Sequence, residues 1–190
     1  MFDNVRGVKS KLNSIRNIIE EEKPTIIGLV ETKLDEEDII EIEGYEIRRR
    51  ERKTEGGGVL IAYREEIKNI INVVREVEED CEMLWMKINN QVNKIRIGII
   101  YMPQEDSTTY NKLKNIYSVI EEEIRTAFNN KEKLLIMGDL NCKVGNNIPN
   151  NNAKVTKGGR LLLKLVKKYN LSIVNAEACC QGLWTRARRK

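Results

Sequence analysis

Histidine is absent from this 190-residue chain. That removes the one side chain whose ordinary pKa lies near neutrality, so no imidazole base, acid or metal ligand comes from these residues. Aromatic residues are scarce, at 5%, and the core must be packed mainly from Ile, Val and Leu. The four cysteines, Cys81, Cys142, Cys179 and Cys180, are too few and too irregularly spaced for a disulfide framework or a zinc site. A reducing compartment fits them best. No apolar run approaches the roughly 18 residues of a membrane span. The opening Met1-Phe2-Asp3-Asn4 lacks the basic and apolar regions of a signal peptide. The expectation is a soluble intracellular protein, nuclear or cytoplasmic, neither secreted nor membrane-bound.

What is present is a third charged and two-fifths apolar, enough for a sizeable core in one domain. The 33 basic and 29 acidic residues leave a net charge of +4. Basic residues gather at Arg48-Arg49-Arg50, Arg52 and Lys53, and again at Arg186, Arg188, Arg189 and Lys190. Such patches steer a chain toward phosphate, and they also occur as plain solvated loops.

Periodicity predicts helices over 9–22, with Leu12, Ile15, Ile18 and Ile19 on one face and Pro24 as the stop, over 108–128 and over 158–169. Residues 35–43 read as acidic and partly helical. Strands are predicted at 25–30, 45–49, 59–63, 133–137, 171–174 and 183–185, and as a pair at 82–88 and 94–101 around Asn89-Asn90. Gly56-Gly57-Gly58 lacks a following phosphate-loop pattern and reads as a tight loop or a close backbone passage. The order fits an α/β sandwich of two packed sheets flanked by helices.

Three polar groups follow buried apolar runs directly: Glu31-Thr32-Lys33, Tyr101-Met102-Pro103 and Gly138-Asp139-Leu140-Asn141. Asn4 to Gly7, ahead of the first helix, is a candidate fourth. Singly, each reads as a strand end or a turn. Together, at strand ends that converge on one rim, they form an oxygen-rich pocket of the kind preferred by hard cations such as Mg²⁺.

In that order and at those intervals, Glu31-Thr32-Lys33, Tyr101-x-Pro103 and Gly138-Asp139-Leu140-Asn141 resemble the endonuclease/exonuclease/phosphatase superfamily. That group includes apurinic-site endonucleases, DNase I-like nucleases, inositol polyphosphate 5-phosphatases and sphingomyelinases. The stretches Gly56 to Val59 and Gly158-Gly159-Arg160 to Trp184-Thr185-Arg186 look most like the endonuclease domain of non-LTR (LINE-type) retrotransposons and craniofacial development protein-like sequences. The resemblance implies a four-layer, DNase I-like sandwich of mainly antiparallel sheets. It also implies a DNA-nicking endonuclease that uses Mg²⁺ or Mn²⁺, with DNA as partner and a larger reverse-transcriptase polyprotein as context.

By that resemblance Glu31 binds the metal and Asn4 helps place it. Tyr101 bonds the scissile phosphate, Asp139 orients or deprotonates the attacking water, and Asn141 holds Asp139 and the phosphate. Lys33 pairs with Glu31 or reaches phosphate, and Thr185 and Arg186 flank the DNA. The family pattern continues past Trp-Thr-Arg with an Asp-bearing strand and a Ser-Asp-His loop that this chain does not contain. The implied single domain over 1–190 is therefore incomplete at its C-terminus, lacks the last strands of one sheet and is impaired in activity. Two alternatives stay open: a non-catalytic nucleic-acid-binding fragment or remnant, and the same fold acting on a phosphoinositide or another phosphomonoester.

Overall fold

The computed structural model describes residues 1–51, 57–77, 81–90, 92–105, 109–148 and 153–176. The chain divides into two compact units, Met1–Pro103 with Arg125–Leu140, and Gln104–Ile124 with Asn141–Lys190.

The first unit holds two four-stranded sheets. One comprises β1 (Phe2–Asn4), β2 (Ile26–Val30), β3 (Tyr45–Arg50) and β4 (Val59–Arg64), in the order β1-β2-β4-β3. The other comprises β5 (Ile71–Val77), β6 (Glu82–Asn89), β7 (Lys94–Tyr101) and β8 (Lys133–Asp139), in sequence order. The pairs β1–β2 and β7–β8 are parallel and the other ladders are antiparallel. The architecture is the expected α/β one, two mixed sheets with helices.

The continuous apolar runs are explained by burial on both faces, since side chains alternate along a strand. In β4, Val59, Ile61 and Tyr63 meet Leu84, Met86, Ile97 and Ile99 of the second sheet. Between them, Leu60 and Ala62 turn the other way, toward Ile15 and Ile19 of α1 (Leu12–Glu22). Ile18, predicted on that apolar face, is 41% exposed. The helix stops as predicted: Lys23 takes the left-handed conformation just before Pro24, and its N–H caps the Ile19 carbonyl.

The second unit contains most of α2 (Tyr110–Asn129), whose Leu113, Ile116, Tyr117, Ile120 and Ile124 are buried, and α3 (Lys157–Lys168). Thr156 caps α3 by accepting the Gly159 N–H, and Glu105 accepts the N–H groups of Lys157 (3.1 Å) and Gly158 (2.6 Å). A Cβ on Gly159 would run into the Lys143 carbonyl, so the Gly158-Gly159 pair lets the helix start pack flush on the preceding loop.

Several expectations need correction. Residues 35–43 carry no helix. Instead, Asp35 and Asp38 close a turn on each other, because short acidic side chains bond the local backbone. Residues 171–174 form no strand: Asn170 leaves α3 with φ 51°, Leu171 bonds back to Val166, and Val174–Ala176 is a single 3-10 turn. The predicted strand at 183–185 lies outside the described residues. Two strands escaped prediction. The first, β1, is three residues long and too short for a period. The second, β5, is an edge strand whose alternation is broken by a bulge between Val73 and Arg75.

Candidate active site

Parallel pairing puts four chain segments at one end of the first unit. Tyr101 and Asp139 are register partners at the C-terminal ends of β7 and β8. Asn4, the last residue of β1, is the register partner of Val30, and Glu31 follows at once. The polar residues that terminate these strands therefore converge on one rim.

The convergence is closed by a single amide. Asn4 Nδ2 donates to Glu31 Oε1 at 2.8 Å and to Asp139 Oδ2 at 2.9 Å, which links residues 135 positions apart and joins the two sheets. The amide carries two N–H donors, and each goes to one carboxylate. The amide must face this way, because turning its oxygen toward two carboxylates would set acceptor against acceptor. Asn4 Oδ1 then points away, buried and with no hydrogen-bond partner among the described residues. An orphaned buried acceptor is uncommon and marks a position where a donor or a cation belongs.

The Tyr101 phenol lies within electrostatic reach of the Glu31 carboxylate. Burial pushes its pKa up to about 12, and the negative charges of Glu31, Asp139 and Glu82 add to the rise. The phenol thus keeps its proton over the physiological range and acts as a donor. Among the described residues no cation pairs with Glu31.

The Glu31 backbone is held unusually. Glu31 and Lys33 both adopt left-handed φ, 54° and 53°, where a Cβ crowds the backbone. Hydrogen bonds fix the segment from both sides. Gly7 and Val8 donate to the Glu31 and Thr32 carbonyls at 2.7 and 2.9 Å. Thr32 and Lys33 donate to the Gly58 and Gly57 carbonyls at 3.2 and 2.8 Å. Gly57 and Gly58 lie at φ 87° and 90°, and a Cβ on Gly58 would strike the Thr32 hydroxyl. The Gly-rich stretch is thus a close backbone passage, for Gly57 and Gly58; Gly56 lies outside the described residues.

The donor set fits a divalent cation. It offers two carboxylates, an unsatisfied amide oxygen and a phenol, all hard oxygen donors. Among the described residues no three Asp, Glu, Cys or His side chains cluster as ligands. What the described residues offer matches the sparser arrangement typical of Mg²⁺, one or two carboxylates with retained water.

The other candidate residues are placed differently. Asn141 lies two residues beyond Asp139 in left-handed backbone, φ 43°, and belongs to the second unit. Lys33 is exposed and forms no ion pair with Glu31. Thr185 and Arg186 lie outside the described residues. Sequence reasoning missed Glu82. It is a buried carboxylate at the start of β6, the register partner of Tyr101, and it accepts the Gly58 N–H. An acid abutting an apolar strand, opposite the Tyr-x-Pro segment, was the available signal.

Known proteins share this fold. Exodeoxyribonuclease III of Haemophilus influenzae is 24% identical over 148 residues, which cover 73% of this chain and 55% of that protein. The chain thus spans about half the length of the curated relative it matches. The 3′ phosphatase NExo from Neisseria, solved with a product DNA hairpin, superposes with a TM-score of 0.67 at 16% identity, covering 87% of this chain and 69% of that one. The endonuclease domain of TRAS1, a telomere-specific non-LTR retrotransposon, superposes with a TM-score of 0.55 at 13% identity, covering 88% and 68%. These likenesses at low identity speak for the fold. The family match begins at Asn4, whose amide closes the rim, and runs to residue 171, which makes this chain a member of the Endonuclease/Exonuclease/phosphatase family.

Proposed function

We propose that the rim built by Asn4, Glu31, Tyr101 and Asp139 holds a divalent cation, Mg²⁺ or Mn²⁺, and that the chain hydrolyses phosphodiester bonds of DNA. The observation that carries the reading is the Asn4 amide. It gathers two carboxylates from two sheets at one point and leaves its own oxygen buried without a partner among the described residues.

Glu31 and the Asn4 oxygen are the residues that would hold the cation. Bound there, it would neutralise charge on the phosphate and the leaving oxygen. Tyr101, protonated up to about pH 12, donates to a phosphate oxygen. Asp139 accepts a hydrogen bond from the attacking water and orients it. DNA as substrate draws support from the relative named as an exodeoxyribonuclease and from the neighbour solved with a DNA hairpin. A retrotransposon-type endonuclease is the narrower form of the proposal. It is supported by the likeness in the Gly56–Val59 and Gly158–Arg186 stretches and by the fold shared with the TRAS1 domain.

One observation favours a second reading. With no histidine in 190 residues, protonation of the leaving oxygen has no imidazole from this chain, and nucleic-acid binding without cleavage is the alternative. Conversion of supercoiled plasmid to the nicked form in Mg²⁺ separates the two. Nicking by the unsubstituted chain, abolished in Glu31→Gln and Asp139→Asn, is the expected result. Equal nicking by all three chains overturns the assignment, and salt-dependent DNA binding without nicking selects the second reading.

A further inference from the structure

We propose that Glu82 is a positioning residue for the cation site: its carboxylate anchors the Gly57-Gly58 turn, and that turn holds Glu31 in its left-handed backbone. The inference rests on the reading of Glu31 as a cation ligand.

Glu82 is 8% exposed, and a carboxylate that far from water needs donors. The Gly58 N–H supplies one, to Oε2. A Cβ on Gly57 would run into the same carboxylate, so glycine at 57 is what lets the acid sit against the turn. The turn then offers its two carbonyls to Thr32 and Lys33. Residues 31 and 33 are both left-handed without being glycine, a conformation that persists only where the surroundings over-determine it. One side of that hold comes from Gly7 and Val8. The other comes from a turn whose own anchor is Glu82. Released from it, Glu31 would relax toward negative φ and swing its carboxylate away from Asn4 and Tyr101. Glu82 thus acts through backbone, without touching a reacting atom.

The test titrates the full chain with Mn²⁺ and follows free Mn²⁺ by its paramagnetic resonance signal. Glu82→Gln keeps the length and an acceptor oxygen. It should bind Mn²⁺ within about threefold of the unsubstituted chain, whereas Glu82→Asp, a methylene short of the Gly58 N–H, should bind about 10- to 100-fold more weakly. Gly57→Ala approaches from the other partner: its methyl displaces the Glu82 carboxylate and should weaken binding by a similar factor. The contrast between Gln and Asp separates the hydrogen bond from the charge. Weak binding by Glu82→Gln, or unaltered binding by Glu82→Asp or Gly57→Ala, overturns the proposal. Glu31→Gln is run alongside. If it keeps its Mn²⁺, the cation reading itself fails; if it loses Mn²⁺ while the Glu82 and Gly57 variants do not, only the role of Glu82 fails.

Discussion

The two ends of β7 handle buried negative charge in opposite ways. At its start, Arg96 and Lys87 of β6 are register partners, two like charges side by side. Glu132, its side chain fully buried, bridges them: Oε2 meets Arg96 Nε and Oε1 meets Lys87 Nζ, both at 2.7 Å. Burial alone would push the Glu132 carboxyl up, but the hydrogen bonds and charges of Lys87 and Arg96 outweigh it and hold it below its ordinary range. At the other end, Glu31 is met by a neutral amide and a neutral phenol, and its charge raises the phenol's pKa. One end is compensated from within the chain and is architecture. The other keeps its negative field, which is the property a cation site needs.

Substitutions can break this contrast. Glu31→Gln should weaken Mn²⁺ binding by about 100-fold or more, beyond the usual effect of losing a supporting contact, while its urea midpoint stays near that of the unsubstituted chain. Glu132→Ala should do the reverse. It leaves Arg96 and Lys87 close together without their bridge and should lower stability by about 3–5 kcal/mol, read from urea unfolding, with Mn²⁺ binding unchanged. If either substitution moves both properties equally, the division between the two ends is wrong.

The pH dependence sharpens the same contrast. The folded pKa of Glu132 is depressed, so its contribution is present above the ordinary value of 4.5 and is lost as pH falls below it. Glu132→Gln should therefore flatten the fall of the urea midpoint on acidification from pH 5 to 3. The folded pKa of Tyr101 is raised from 10 to about 12. Its contribution is present below pH 10 and is lost as pH climbs toward 12. Tyr101→Phe should flatten that alkaline fall. The effect is the smallest of the four, because the phenol stays partly solvated and the surrounding charge is screened.

Much of this was readable in the sequence, and the parts that were not share a cause. The apolar runs within 25–30, 59–63 and 94–101 announced strands because they are short, rich in Ile and Val, and buried on both faces. The polar residues after them announced a rim. Local pattern cannot supply partnership. Leu171-Ser172-Ile173-Val174 has a strand's composition and no ladder partner among the described residues, whereas Phe2–Asn4 has little pattern and a parallel partner in β2. The same limit hid the site's central contact. Nothing in the sequence says that one amide at position 4 bonds both residue 31 and residue 139. It also hid Glu82 and Glu132, two buried acids in a chain rich in exposed ones.

The left-handed backbone of Glu31 has a consequence for how this protein can change. At φ 54° the position favours glycine or asparagine. A glutamate there is a poor choice for stability, and under the proposed function it is the residue that holds the cation. Variants selected only for thermal resistance should accumulate substitutions at position 31, and each would gain robustness by discarding function. Stability and activity are opposed at this residue, so a lineage released from selection for catalysis should lose it early.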